Sequence, residues 1–160
     1  MSKRKSVISK SRLALASAAL AALQQPALAA TDTATLTINA TVGAQCIIDD
    51  AILDFGSFSG LGASTVTASA DVSITCTSGT TASLAAASSA VDLVSGAGTI
   101  TASLYSDSAM SSSYPTTPGS SVTYVGSGGA GTTPVYGKIV TSGSTTPGTY
   151  SGTVTLTVSY

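Results

Sequence analysis

Histidine, tryptophan and glutamate are absent from this chain. Without an imidazole, the commonest general base at neutral pH and the commonest metal ligand are both missing. Cysteine occurs twice, at Cys46 and Cys76, and two thiolates without histidine cannot complete an ordinary zinc site. Cationic side chains are nearly as scarce. Of six Lys and Arg, Lys3, Arg4, Lys5, Lys10 and Arg12 lie at the start of the chain, which leaves Lys138 alone against seven acidic residues, all Asp. A nucleic-acid ligand needs several cationic contacts to phosphate, so that class is excluded. A long apolar run is lacking too, since "LALASAALAAL" at 13–23 is too short to span a bilayer as a helix.

That run has a different meaning in its setting. Basic residues precede it, Gln24, Gln25 and Pro26 end it, and "ALA" at 27–29 places small residues where a signal peptidase cuts. Residues 1–29 are therefore expected to be a signal peptide cleaved after Ala29. An exported chain meets an oxidising compartment, so Cys46 and Cys76 are expected to pair. Closing a loop of about 31 residues, that disulfide stabilises the fold by roughly 3–4 kcal/mol in the chain-entropy estimate.

Thr, Ser, Gly, Ala and Val dominate the chain beyond Ala29, and these residues suit strands and turns better than helices. In "TDTATLTINATVG" (31–43), Ala34, Leu36, Ile38, Ala40 and Val42 alternate with polar residues, the signature of a strand with one apolar face. Gly43 shifts the phase and predicts a bulge or a boundary there. Further strands are expected in "AILDFGSF" (51–58), with Ile52 and Phe55 in the core, and in "STVTASADVSITCTS" (64–78), with Cys76 facing inward. The series continues with "TASLAAASS", "GTITASLYSD", "SVTYVGSG" and "TPVYGKIVTSG", and it ends in "GTYSGTVTLTVSY" (148–160). Residues 106–121 read as an exposed loop, with Tyr114 the tyrosine expected to reach solvent, and the glycine-rich 126–134 reads as a turn or flexible connection. The fold class is all-β, most simply a sandwich. Neither terminal strand carries Lys, Glu or Pro within its alternating run, so neither edge is guarded against pairing with another chain.

Two chemical readings are weak. Asp49, Asp50 and Asp54 could serve a carboxylate-pair hydrolase or a calcium site, but they read better as a solvated turn between strands. Lys138 could form a dyad with a serine, yet "VYGKIV" places it on the solvent face of a strand. No catalytic residue, metal site or cofactor is expected.

In order and spacing, "AQC" (44–46), "LDFGSF" (53–58), "VSITC" (72–76), "ASLYSD" (102–107), "VYGKI" (135–139) and "PGTYSGTVTLTVSY" (147–160) resemble the spore coat protein U domain family. That family includes subunits of archaic chaperone-usher pili. The resemblance implies an incomplete immunoglobulin-like β-sandwich at 43–160, preceded by an N-terminal donor-strand extension at 30–42. It further implies a structural subunit, not an enzyme, exported through the periplasm to the cell surface and supporting adhesion and biofilm formation. Its partners would be a periplasmic chaperone, an outer-membrane usher and neighbouring subunits. In donor-strand complementation a strand from one molecule completes the sheet of another. Here Ala34, Leu36, Ile38, Ala40 and Val42 would supply the donor contacts, and Val154, Leu156, Val158 and Tyr160 would line the acceptor groove and meet the chaperone first. The alternative is a self-contained carbohydrate-binding or tip-adhesin module built on the chain's tyrosines.

Overall fold

The computed structural model describes residues 30–96, 98–117 and 120–160, so the expected signal peptide at 1–29 lies outside the described residues. The chain divides into two units, Met1–Asn39 and Ala40–Tyr160. Within the first, residues 30–39 are exposed and belong to no strand, and Leu36 and Ile38 are each 81% exposed. Residues 40–45 continue in the same state, with Val42 84% exposed. Alternation decides which side chains share a face, but a strand also needs a neighbour for its backbone N–H and C=O groups. Among the described residues, 31–43 has none.

Among its described residues the second unit contains eight strands. They are β1 (Cys46–Ile48), β2 (Leu61–Cys76), β3 (Thr81–Ala86), β4 (Ala90–Ser95), β5 (Gly98–Tyr105), β6 (Val122–Val125), β7 (Ala130–Ser144) and β8 (Leu156–Ser159). A five-stranded sheet runs β1-β2-β7-β5-β4 and a three-stranded sheet runs β6-β3-β8, with every pairing antiparallel. The spine is the β2–β7 ladder, in register from Leu61 opposite Ser144 to Thr75 opposite Ala130. Along β2 the alternating residues Val72, Ile74 and Cys76 are buried, as the sequence pattern requires. They meet Leu84 and Ala86 of β3, Leu104 of β5 and Val135 of β7, so the core draws on both sheets.

Several expectations change. β7 begins at Ala130, inside the stretch read as a flexible connection. Pro134 is tolerated there because β5 pairs with β7 only from Tyr136 to Ile139, leaving residue 134 a ladder on the β2 side alone. β4 is not among the expected strands, and Ser88 and Ser89, read as the end of the strand "TASLAAASS", lie beyond β3 where the chain passes from the small sheet to the large one. Residues 51–58 form no strand. Asp54 accepts the Gly56 N–H at 2.8 Å, and Gly56 has φ +63°, so the backbone turns where extension was expected. Ile52 is consequently 86% exposed, while Leu53, Phe55 and Phe58 pack inward.

Tyr114 is the clearest reversal, at 1% exposure. Its N–H donates to the Leu104 carbonyl at 2.8 Å, and the Ala86 N–H donates to the Pro115 carbonyl at 2.8 Å. These bonds carry the loop across the domain and set the ring among Val72, Leu104 and Val135. The same loop is braced by Asp107, whose carboxylate accepts the Ser111 hydroxyl at 2.7 Å and the N–H of Ser112 at 2.7 Å. These bonds, the Ser111 hydroxyl foremost, hold the exposed Asp107 carboxyl below the usual carboxylate range.

Candidate functional site

The two sheets fail to meet along one seam. On one side runs the irregular segment after β1; on the other runs the closing segment that leads into β8. β1 has a ladder only with β2, and β8 only with β3, so each presents an edge. The edges come together at one end, where Cys46, Ile48 and Val158 pack around Ile74, Cys76 and Leu84. The Cys46–Cys76 disulfide lies at this closed end, between residues directly opposite in the β1–β2 ladder.

Away from it the seam opens into two cavities. The first, about 300 Å³, is bounded by Ile48, Asp49, Asp50 and Leu53 on one side and by Val154, Thr155 and Leu156 on the other, with Ala70, Val72 and Val135 as its floor. The second, about 760 Å³, lies between residues 52–61 and 145–152, over Leu93, Ile100 and Ile139. Leu53 lines both, so they are successive parts of one groove. Its floor is the apolar inner face of the large sheet.

Two glycines make this shape possible. A Cβ on Gly137 would stand 2.6 Å from Leu53 Cδ2 and 2.7 Å from Phe55 Cζ, so only glycine lets those side chains lie directly on β7. At Gly152 a Cβ would stand 2.6 Å from the Asp92 carbonyl oxygen, which explains glycine in the closing motif. That close approach accompanies a bridge in which Val94 and Ser151 exchange N–H···O bonds of 2.9 and 3.2 Å. The Tyr150 hydroxyl donates to the Thr146 carbonyl at 2.8 Å and holds the rim of the larger cavity.

The residues expected in the acceptor groove are distributed along this seam. Val154 and Leu156 line the smaller cavity, Val158 sits at the closed end, and Tyr160 is 60% exposed beyond it. Leu53, Phe55, Phe58, Leu93, Ile100, Ile139 and Tyr150 also line the groove, a set that sequence reasoning did not assemble. "LDFGSF" and the Tyr of the closing motif were the available signals. Asp49 accepts the Ser73 hydroxyl at 2.7 Å and Asp54 caps its own turn, and among the described residues no cluster of three potential metal ligands occurs.

This geometry defines a class: an antiparallel β-sandwich left open between one edge of each sheet. The model of the Spore Coat Protein U domain matches residues 32–157, and the chain belongs to that family. Among solved structures, the chain is similar to one from the CsuC–CsuE chaperone–tip adhesion subunit pre-assembly complex of the archaic chaperone-usher Csu pili of Acinetobacter baumannii. The TM-score is 0.53 at 17% identity, over 75% of this chain and 40% of that one. The chain thus spans less than half of that neighbour's length, and the likeness is one of fold. No curated protein matches the chain.

Proposed function

We propose that this chain is a secreted structural subunit of a chaperone-usher fibre that polymerises by donor-strand complementation. One observation carries the reading: the domain has an open groove with an apolar floor, while the alternating segment 31–43 stands exposed and without a sheet. In the polymer, Ala34, Leu36, Ile38, Ala40 and Val42 of one subunit fill the groove of the next, between the segment after β1 and the closing segment. Adding a strand there fills the gap between the two flanking segments and covers the apolar floor residues in one step. A periplasmic chaperone occupies the groove first, the outer-membrane usher directs the exchange, and the fibre serves surface adhesion and biofilm formation. Catalysis has no part in this role.

Deleting residues 31–38 tests the reading. The truncated subunit is expected to be exported and to form its chaperone complex, yet to give no polymer ladder on unheated gels. A normal ladder would refute the donor assignment, and loss of the chaperone complex would show that the segment belongs to the subunit's own fold.

A further inference from the structure

We infer that the outer face of the five-stranded sheet carries a binding site for an acidic saccharide, centred on Lys138. The site is independent of the polymerisation reading, because none of its residues lines either cavity. Three adjacent strands build it in two rows. In one row Ser69 of β2, Tyr136 of β7 and Tyr105 of β5 stand directly opposite one another; in the next, Thr67, Lys138 and Ser103 do the same. Strand alternation points all six away from the core, since their neighbours Ala68, Gly137, Ile139, Ala102 and Leu104 face inward. Tyr105, Tyr136 and Lys138 are half-buried, so their positions are held by packing while their outer surfaces remain accessible.

The electrostatics single out this patch. Lys138 is the only cationic side chain among the described residues, in a part of the chain with seven Asp. Its ammonium has no ion pair among them and lies over the Tyr105 ring instead, 4.7 Å from the centroid. Asp92, on the same face, accepts the Thr101 hydroxyl at 2.8 Å, and Asp71 stands opposite Pro134. The one positive charge thus lies over one tyrosine ring, beside a second tyrosine and three hydroxyl side chains, on a face that Asp71 and Asp92 share at a distance of at least two residue positions along the strands.

Those groups match one ligand chemistry. Tyrosine rings offer an apolar surface to the C–H face of a pyranose, and serine and threonine hydroxyls can donate to or accept from its hydroxyls. The ammonium then selects a sugar carboxylate. A polyphosphate chain offers no C–H face to lie on the tyrosine rings, so it uses only the cation of this set. A uronic-acid oligosaccharide fits.

The chain's lack of tryptophan supplies a clean readout, because its emission comes from tyrosine alone. The exported chain is titrated with a galacturonate hexamer and, in parallel, with a neutral hexose hexamer of the same length. A saturable change in tyrosine emission with the uronate only is expected. Lys138→Gln should weaken it at least about tenfold and Lys138→Arg should retain it, since a charge-assisted hydrogen bond is worth that much. Circular dichroism of both variants checks the fold. No saturable change at millimolar uronate, equal binding of the neutral hexamer, or unchanged affinity in Lys138→Gln would each overturn the site.

Discussion

Leu36 and Ile38 are each 81% exposed in the subunit, and the proposed role buries both in a neighbour's groove. Truncating either to alanine therefore acts very differently on two states. In the subunit, shortening an exposed side chain outside any strand changes stability by no more than about 0.5 kcal/mol. In the polymer, the same change removes a packed side chain and leaves a cavity, at a cost of about 2–5 kcal/mol per site. Even the lower figure corresponds to a roughly 30-fold weaker junction, and the two sites together double the free-energy cost if they act independently. The assay heats purified polymer through a temperature series before electrophoresis and follows the loss of the ladder, while chaperone-bound subunit of each variant is unfolded in denaturant. Leu36→Ala and Ile38→Ala should dissociate at clearly lower temperature with subunit unfolding unchanged. Thr37→Ala, a change on the opposite face of the same strand, should leave the ladder close to that of the parent. The reasoning fails if subunit unfolding shifts by several kcal/mol, or if the ladder survives both substitutions unaltered.

The buried loop anchor and the groove floor give two more tests. The Tyr114 hydroxyl is buried and has no hydrogen-bond partner among the described residues. Tyr114→Phe is accordingly expected to keep or raise stability by about 1 kcal/mol, whereas Tyr114→Ala should cost about 3–5 kcal/mol by denaturant unfolding. Burial pushes the Tyr114 hydroxyl above its ordinary value of 10.0, so the folded state keeps a proton that the unfolded chain gives up. Its contribution is complete below about pH 10 and is lost as pH rises past it, and the unfolding free energy of Tyr114→Phe should fall less steeply there. Gly137→Ala forces a Cβ against Leu53 and Phe55; overpacking of this kind should cost about 1–3 kcal/mol and lower the melting temperature of the chaperone-bound subunit, and an unchanged value would show that those side chains do not rest on β7.

Strand identity was legible wherever one face is buried along a regular ladder. The run from Val66 to Cys76 shows its period of two in sequence and in burial, and the cysteine pair meets across the β1–β2 ladder as the export argument requires. Legibility failed where backbone or distant contacts outweigh local pattern. "AILDFGSF" has the composition of a strand, yet the Asp54–Gly56 turn ends its extension, and Leu53 and Phe55 are placed by the absent side chain of Gly137, far along the sequence. Tyr114 sits among serines and prolines that mark a loop, and only the bond from its N–H to Leu104 shows that the loop doubles back into the core. The groove has the same origin. Its two walls are far apart in the sequence, at 48–61 and 145–156, so no local window contains it, although the motif residues on each wall were visible separately.

The scarcity of charge acquires a physical role at this point. A soluble sandwich ordinarily protects its edges with Lys, Pro or a bulge, because an unpaired row of N–H and C=O groups recruits other strands. β8 carries no such guard, and neither does the alternating run 33–42. A charge at Leu156 or Val154 would have to enter the seam beside Val72 and Val135, where an unpaired ion is expensive. In the proposed polymer, a charge at Leu36 or Ile38 would have to enter a neighbour's seam at the same cost. The restraint that keeps these inward-facing positions apolar and able to pair thus also leaves them prone to indiscriminate association. On the proposed function, such a subunit needs a temporary partner strand until it is assembled, which is the task the proposed chaperone would perform.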